Sequence, residues 1–231
     1  MNDAVLLQKK LNTEFKNADL LQQALVHRSY LNENPDFHLG HNERLEFLGD
    51  AVLELVVTDY LYHHYNMSEG DLTSLRAAIV RGEMLSKIAH DMGIDDFLLL
   101  SRGESKDHGK ARQYILANAV EAVIGAVYLD QGYGAAEKLI MTFIVSQLPD
   151  VIAQGLHIDN KSRFQELAQE RYRVTPSYEV LREEGLDHAK SFVVGVFLGS
   201  RKMGEGHGSS KQEAQQQAAR EALESLSKSD S

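Results

Sequence analysis

The spacing of apolar residues changes once along this 231-residue chain, and that change constrains its fold more than any other feature. Up to about residue 150, apolar side chains recur every three or four positions, which is the pattern of amphipathic helices. Pro149 ends this pattern, and no clear period follows until residue 160, so we expect a linker over 151–158. We predict an all-α domain over 1–150, followed over 159–228 by a small α+β domain with α-β-β-β-α order.

The second domain is predicted from both period and composition. Its helices and strands are expected, in chain order, over residues 161–172, 177–182, 191–198, 201–206 and 209–226. The strand over 191–198 is rich in Val and Phe, whereas the last helix is polar and rich in Ala and Gln. The four glutamines of that helix, Gln212, Gln215, Gln216 and Gln217, are interpreted as a solvated face and are given no role.

Composition excludes several classes of protein and of site. The chain has 43% hydrophobic and 25% charged residues, which is ordinary for a globular protein and not for a disordered or fibrous one. Cysteine is absent, so disulfides, zinc-thiolate sites, iron–sulfur clusters and thiol catalysis are excluded. No apolar run is long enough to span a membrane, and the first lysines follow a short apolar patch, the reverse of a secretory signal. We expect a cytoplasmic protein with no membrane association and no organic cofactor.

The net charge of −10 argues at first against nucleic acid as a partner, because binding a phosphate backbone normally depends on Lys and Arg. The charge is unevenly divided, however. Residues 1–155 carry a net charge of −9, and residues 156–231 carry −1. The acidity is therefore concentrated in the helical part, and the total charge is a poor guide to the partner.

A stripe of acids follows the loop that contains Pro35 and Gly40, in a helix expected to have Asn42 as its N-cap. Four carboxylates share an arc of roughly 80° on this helix, opposite a predicted apolar face: Glu43, Glu46, Asp50 and Glu54 are the acids, and Leu45, Leu48, Val52 and Leu55 are the apolar residues. Gly49 is expected to leave open space beside Asp50.

No Lys or Arg lies three or four residues from Glu46 or Asp50, so local ion pairs cannot neutralise them. A solvated helix face is the alternative interpretation, and it is the one we favour for Glu43 and Glu54. Glu46 and Asp50 differ because apolar residues flank them. An external cation would relieve the repulsion between them.

A second helix presents one isolated acid. Glu121 is the only charged residue between Arg112 and Asp130, and Asn118 and Gly125 share its face. A carboxylate in so apolar a helix must be paired, protonated or bound to a metal. An ion pair with Arg44 or Arg76 and a metal site are equally compatible with this segment.

Together the two helices predict an all-oxygen site, whose ligands suit Mg²⁺ or Mn²⁺. Divalent ions held by carboxylates are commonly used to hydrolyse phosphodiester bonds. The adjacent His63 and His64 point in different directions from a helix, so we do not interpret them as a metal site.

Several segments resemble bacterial ribonuclease III, most clearly residues 42–53, NERLEFLGDAVL, which match the family's nuclease motif. Supporting matches lie in residues 24–30, 69–77 and 115–130, and the resemblance continues to about residue 226. It implies an Mg²⁺-dependent endonuclease, with Mn²⁺ as a possible substitute, that cleaves both strands of double-stranded RNA as a homodimer. It further implies products with 5′-phosphate and 3′-hydroxyl ends and a role in processing ribosomal and messenger RNA precursors.

The resemblance also implies roles for single residues. Glu46 and Glu121 would be metal ligands, Asp50 would help to position the attacking water beside the metal, and Phe47 would belong to the dimer contact. At Asn118, also placed at the metal, the family usually has Asp. Asn keeps one oxygen ligand and loses a charge, so we expect cleavage with weaker Mg²⁺ affinity. The alternatives are a protein that binds RNA duplexes but has lost cleavage through Asn118, and a structural subunit of a ribonucleoprotein.

The second domain resembles the double-stranded-RNA-binding domain of the same family. The resemblance implies that a minor groove is contacted by Ser162, Gln165, Glu166 and Gln169, and a second groove by the loop 185–188, which includes His188. Ser210 and Lys211 would bind phosphate at the start of the last helix. Gln212 replaces a second basic residue found in many members, which predicts weaker and less salt-dependent RNA binding.

Overall fold

The computed structural model describes residues 3–106, 109–185 and 190–229. The chain divides into two compact units, Met1–His157 and Ile158–Ser231. The first unit is helical, as predicted. Its helices are α1 (Asp3–Lys10), α2 (Ala18–Ala24), α3 (Arg28–Glu33), α4 (Glu43–His64), α5 (Glu69–Val80), α6 (Gly82–Met92), α7 (Lys110–Gln131), α8 (Tyr133–Phe143) and α9 (Leu148–Ala153).

Helix α7 forms the centre of the first unit. Nearly every residue from Ile115 to Val127 is buried, so this helix is surrounded by others on most of its circumference. Helix α4 packs against it through Leu45, Val52 and Val56, which are buried in the same core. Two helices that carry predicted site residues are therefore neighbours in the middle of the unit.

The second unit has the predicted α-β-β-β-α order. Its elements are α10 (Asn160–Tyr172), β1 (Ser177–Glu184), β2 (Ser191–Leu198), β3 (Arg201–Gly208) and α11 (Lys211–Ser229). The strands form an antiparallel sheet in the order β1-β2-β3. Phe164 of α10 is fully buried with Val196 and with three alanines of α11, Ala218, Ala219 and Ala222. The predicted fold class is thus confirmed for both parts of the chain.

The structure of the first unit differs from several of the predictions. Asn42 precedes α4 but makes no capping hydrogen bond, because its buried side chain donates instead to the Ala24 carbonyl (3.1 Å). Leu55 belongs to the predicted apolar face but is 57% exposed. The predicted linker at 151–158 begins as helix, since α9 continues to Ala153 and buries Val151 in the core.

In the described part of the chain, no helix is both long enough and apolar enough to cross a lipid bilayer.

Candidate functional site: carboxylates at a helix crossing

Helices α4 and α7 touch through their backbones at two glycines. A Cβ atom on Gly49 would overlap the carbonyl oxygen of Glu121, and one on Gly125 would overlap the carbonyl oxygen of Leu45. The space expected beside Asp50 is therefore not open, because the backbone of α7 fills it. Glycine is required on both sides, since only the absence of Cβ lets the two helices approach so closely. This crossing brings the acids of α4 next to Glu121.

The resulting cluster of carboxylates is electrostatically unfavourable. The pKa of the Glu121 carboxyl is raised from its ordinary 4.5 to about 7, chiefly by burial and then by the negative charges of Asp50, Glu46 and Glu54, in that order. Among the described residues, no Lys, Arg or His offsets these charges at Glu121. Such a site is costly to fold unless protons or a cation neutralise it.

Glu46 has the same kind of environment on the opposite helix. Burial raises the pKa of its carboxyl, followed by repulsion from Glu43 and Asp50. A hydrogen bond from the Asn118 side chain acts in the opposite direction and lowers it. The Asn118 amide therefore donates to Glu46, which a carboxylate at this position could not do without a proton.

The two outer acids of the α4 stripe have basic partners. Arg76 of α5 approaches Glu54 with its Nε atom 2.9 Å from Oε2, and Arg28 lies 3.5 Å from Glu43. Both acids are therefore ion-paired, and Glu54 is half-buried rather than part of a solvated face, so only the exposed Glu43 agrees with that interpretation. Arg76 is therefore paired with Glu54. Within the described ranges, neither Arg44 nor Arg76 forms an ion pair with Glu121.

The donors suit a hard divalent cation, although their side chains do not yet converge on one point. Glu46, Asp50, Glu121 and the amide of Asn118 offer only oxygen donors on the cation side. Among the described residues, no three His, Asp or Glu side chains are arranged closely enough to hold a metal ion as they stand. Mutual repulsion between unneutralised carboxylates favours such separation. The backbone thus brings these residues together, and their charge and chemistry fit a bound Mg²⁺ or Mn²⁺.

An exposed apolar stripe runs along α4 beside the acids. Phe47, Leu55 and Tyr62 are 81%, 57% and 74% exposed, and at about 100° per residue they fall within roughly 80° of one another. Helical periodicity alone places Leu55 on the predicted apolar face. The exposure of Phe47 fits the expected dimer contact, because a large ring in water beside a polar site is unfavourable unless something covers it.

The second unit presents a polar face on α10, which we call the α10 face: Ser162, Gln165, Glu166 and Gln169, all exposed. The buried Phe164 and Ala168 lie on the opposite side of the same helix. The Ser162 hydroxyl donates to Asp159 (2.7 Å), the residue that caps α10.

Two more of the predicted RNA contacts lie at the start of α11. The Ser210 hydroxyl accepts a hydrogen bond from the Glu213 N–H (3.2 Å), so it caps this helix. The Nζ atom of Lys211 is 5.5 Å from the centroid of the Phe192 ring. His188, the other predicted contact, lies outside the described residues.

Residues with a role that sequence reasoning missed are found on α11. Gln216 and Gln215 are half-buried and contact the beginning of α10 (Gln216 Nε2 to Asp159 Oδ1, 2.8 Å), so they are not part of a solvated face. Hydrogen bonds from Gln216 and Ser162 outweigh the effect of burial and lower the pKa of Asp159 below its ordinary value. Gln215 and Gln216 differ from the neighbouring glutamines only in their contacts with residues more than 50 positions away in the chain. The apolar period of a helix does not predict such contacts.

Comparison with known proteins gives matches over both units. A family model described as Ribonuclease-III-like matches residues 17–148, and the double-stranded RNA binding motif matches residues 160–226. Ribonuclease 3 of Dehalococcoides mccartyi is 41% identical over 99% of this chain and 97% of its own length. Ribonuclease 3 of Carboxydothermus hydrogenoformans is 45% identical over 96% of this chain and 95% of its own.

Solved structures agree with these matches. A nuclease domain of ribonuclease III from Campylobacter jejuni is 41% identical, with a TM-score of 0.57 over 64% of this chain and 98% of that one. A second structure of that domain is 42% identical, with a TM-score of 0.56 over 62% of this chain and 96% of the other, and in it a region involved in dimer formation is flexible. With nearly the full length matched at this identity, the chain belongs to the ribonuclease III family of endoribonucleases that act on double-stranded RNA.

Proposed function

We propose that this protein hydrolyses phosphodiester bonds in both strands of an RNA duplex, depends on Mg²⁺, and leaves 5′-phosphate and 3′-hydroxyl ends. The observation that carries the proposal is the carboxylate cluster at the α4–α7 crossing. Glu121, with a pKa raised to about 7, faces Glu46 and Asp50 without a compensating base among the described residues. A protein tolerates such a cost where the charges have a function.

Glu46, Asp50, Asn118 and Glu121 would hold the metal, with Mn²⁺ as a substitute for Mg²⁺. When bound, a divalent ion there activates water and neutralises charge on the scissile phosphate and on the leaving oxygen. Asp50 is the most exposed of the three acids, so its carboxylate accepts a hydrogen bond from the attacking water and orients it. The close contact of α4 with α7 at Gly49 and Gly125 fixes the backbones that carry Glu46, Asp50 and Glu121.

The second unit supplies the affinity for duplex RNA in this proposal. The α10 face enters one minor groove, and His188 enters the next. Ser210 and Lys211 contact phosphate at the beginning of α11, where free N–H groups and the helix dipole favour an anion. Polar contacts of this kind read the shape of A-form RNA and its 2′-hydroxyls rather than its sequence.

We further propose a homodimer in which the stripe of Phe47, Leu55 and Tyr62 is covered by a second copy. The exposure of these three side chains supports this. A two-fold axis would present two equivalent sites to the two antiparallel strands of a duplex. We assign the protein to the cytoplasm and to the processing of ribosomal and messenger RNA precursors.

The decisive experiment compares wild-type protein with Glu121→Gln on a long, perfectly paired RNA and on the same strand unpaired. Wild-type protein with Mg²⁺ is expected to cut the duplex into fragments with 5′-phosphate ends. The variant is expected to bind the duplex without cutting it. Glu137→Gln on α8, which makes the same change of charge away from the site, is the matched control and should cut normally.

The presence of Asn at position 118, where the family usually has Asp, favours one other function, that of a protein that binds duplex RNA without cleaving it. In that case wild-type protein and the Glu121→Gln variant would both bind the duplex and leave it intact, with Mn²⁺ as well as with Mg²⁺.

A further inference from the structure

The glutamines of α11 fall into two groups. Gln212 and Gln217 are exposed, whereas Gln215 and Gln216 are half-buried and reach the first turn of α10. Helix α10 carries the α10 face, so these two side chains connect the second turn of α11 with the start of the proposed RNA-binding helix.

Gln216 makes two hydrogen bonds of opposite polarity. Its Nε2 atom donates to Asp159 Oδ1 (2.8 Å), and its Oε1 atom accepts from the backbone N–H of Lys161 (3.3 Å). Only an amide offers a donor and an acceptor in this arrangement. A carboxylate would place a second negative charge against Asp159, and an ammonium would have no acceptor for the Lys161 N–H.

The partners of Gln216 belong to the cap of α10. Asp159 also accepts from the Ser162 N–H (3.2 Å) and from the Ser162 hydroxyl (2.7 Å), so Gln216 contacts the residue that orients Ser162. Lys161 is held in addition by Gln215, which accepts from its Nζ atom (2.8 Å), and by the ring of Tyr178, 5.0 Å away. The start of α10 is thus fastened to α11 and to β1.

These hydrogen bonds restrain the rotation of α10 about its own axis, which apolar packing alone restrains less. Phe164, Ala168 and the half-buried Leu167 anchor α10 along one apolar side, but apolar contacts are non-directional and set the rotation of a helix about its axis less sharply than hydrogen bonds do. The α10 face extends from Ser162 to Gln169, about 10 Å at 1.5 Å per residue. All four side chains must meet the same minor groove, so a small rotation would displace them together.

We propose that Gln216 is a positioning residue for RNA binding, which sets the rotation of α10 and thereby presents the α10 face to a minor groove. The proposal rests on the proposed function, because it assumes that the α10 face contacts duplex RNA. Gln216 itself does not contact the RNA.

The test replaces the amide of Gln216, which donates to Asp159, with a carboxylate, which cannot donate. Gln216→Glu puts two carboxylates together and should weaken binding of an RNA duplex about tenfold, as expected when a charged hydrogen bond is replaced by repulsion. Adding Asp159→Asn removes the second negative charge and restores the wild-type net charge. Because Asp159 Oδ1 accepts from both Gln216 and the Ser162 N–H, the Asn side chain can serve only one of these contacts through that atom, so the double variant should recover part of the lost affinity.

Two further variants complete the comparison. Gln217→Glu makes the same change of charge on the exposed side of α11 and should alter affinity by less than about twofold. Gln216→Ala removes both hydrogen bonds without adding a charge and should give an intermediate loss. For Gln216→Glu in the full-length enzyme, KM for duplex RNA should rise while kcat at saturating RNA stays unchanged, because the catalytic carboxylates lie in the other unit.

Thermal unfolding of each variant separates positioning from stability. If Gln216→Glu lowers Tm but binds RNA like Gln217→Glu at a temperature where both are folded, Gln216 is only structural and the proposal is overturned. The same holds if the double variant does not recover affinity. Failure of the proposed function is a different result, since wild-type protein itself would then not bind the duplex.

Discussion

At the scale of single residues, Glu121 is an acid held among other acids. Its folded-state pKa of about 7 exceeds the ordinary 4.5, so the folded protein loses stability as pH rises from about 4.5 to about 7. In metal-free protein at pH 8, we expect Glu121→Gln to raise the free energy of unfolding by about 1–2 kcal/mol, a figure reduced for solvent screening. Denaturant unfolding in EDTA would measure this gain.

The gain should disappear near pH 4.5, where Glu121 is protonated in the folded protein and the repulsion is absent. Mg²⁺ should raise the Tm of wild-type protein and leave that of the variant nearly unchanged, because the variant has lost a ligand. A stability gain independent of pH would mean that Glu121 is not repelled by its neighbours. Glu137→Gln is the control for the loss of one charge.

Asn118 is the second residue whose substitution has a definite expected result. Its amide donates to Glu46, so Asn118→Asp removes that hydrogen bond and adds a carboxylate to the cluster. We expect lower stability in EDTA and a several-fold lower Mg²⁺ concentration for half-maximal cleavage, because added negative charge strengthens cation binding. An unchanged Mg²⁺ dependence would show that position 118 does not act on the metal.

At the scale of helices, the α4–α7 crossing depends on Gly125. Gly125→Ala would push the new Cβ against the backbone of α4, and the helices could accommodate it only by separating. We expect a loss of about 2–4 kcal/mol in the free energy of unfolding, as for other overpacked cores. Cleavage should be lost as well, because Glu46 and Glu121 would move apart.

Gly134→Ala is the matched control for that change. Gly134 lies in α8, where a Cβ would meet nothing within 4 Å, so alanine should be neutral or stabilising by up to about 1 kcal/mol through its helix propensity. Equal effects of the two substitutions, measured by denaturant unfolding, would mean that the close backbone contact is not needed.

The helices and strands of this fold could be predicted from the local pattern of apolar residues, but the contacts between them could not. The apolar period predicted the helices that carry Glu46 and Glu121, and the predicted bounds of β2 agree with the structure. A period predicts which face of a helix is apolar but not whether a neighbour covers it, so it does not distinguish the exposed Leu55 from the buried Leu45 and Val52 on the same predicted face. The role of Gln216 was missed because its partner, Asp159, caps a different helix and is distant in the chain.

At the scale of the whole molecule, the exposed stripe on α4 predicts an oligomer. Phe47→Ala should shift a dimer toward monomer, because burying a large aromatic ring contributes about 2–3 kcal/mol to association. Sedimentation equilibrium or light scattering over a range of protein concentrations would measure the shift. Val180→Ala, an exposed apolar residue of β1, is the control and should leave the oligomeric state unchanged.

The distribution of charge over the chain leads to the last prediction. The second unit is nearly neutral, so its RNA affinity must depend on a few local donors, and the exposed Gln212 stands beside one of them, Lys211. Gln212→Lys should tighten binding of an RNA duplex and steepen the plot of log Kd against log salt by about one, since each phosphate contact releases about one counterion.

Gln217→Lys adds the same charge on the exposed side of α11 at a different angle from Lys211. If RNA affinity depends on where donors stand, this control should leave the salt slope nearly unchanged, because a cation that touches no phosphate releases no counterion. If it steepens the slope as much as Gln212→Lys, affinity follows total charge, and the local account of Lys211 is wrong. If neither variant changes the slope, phosphate does not reach the start of α11, and RNA binding must depend on the α10 face alone.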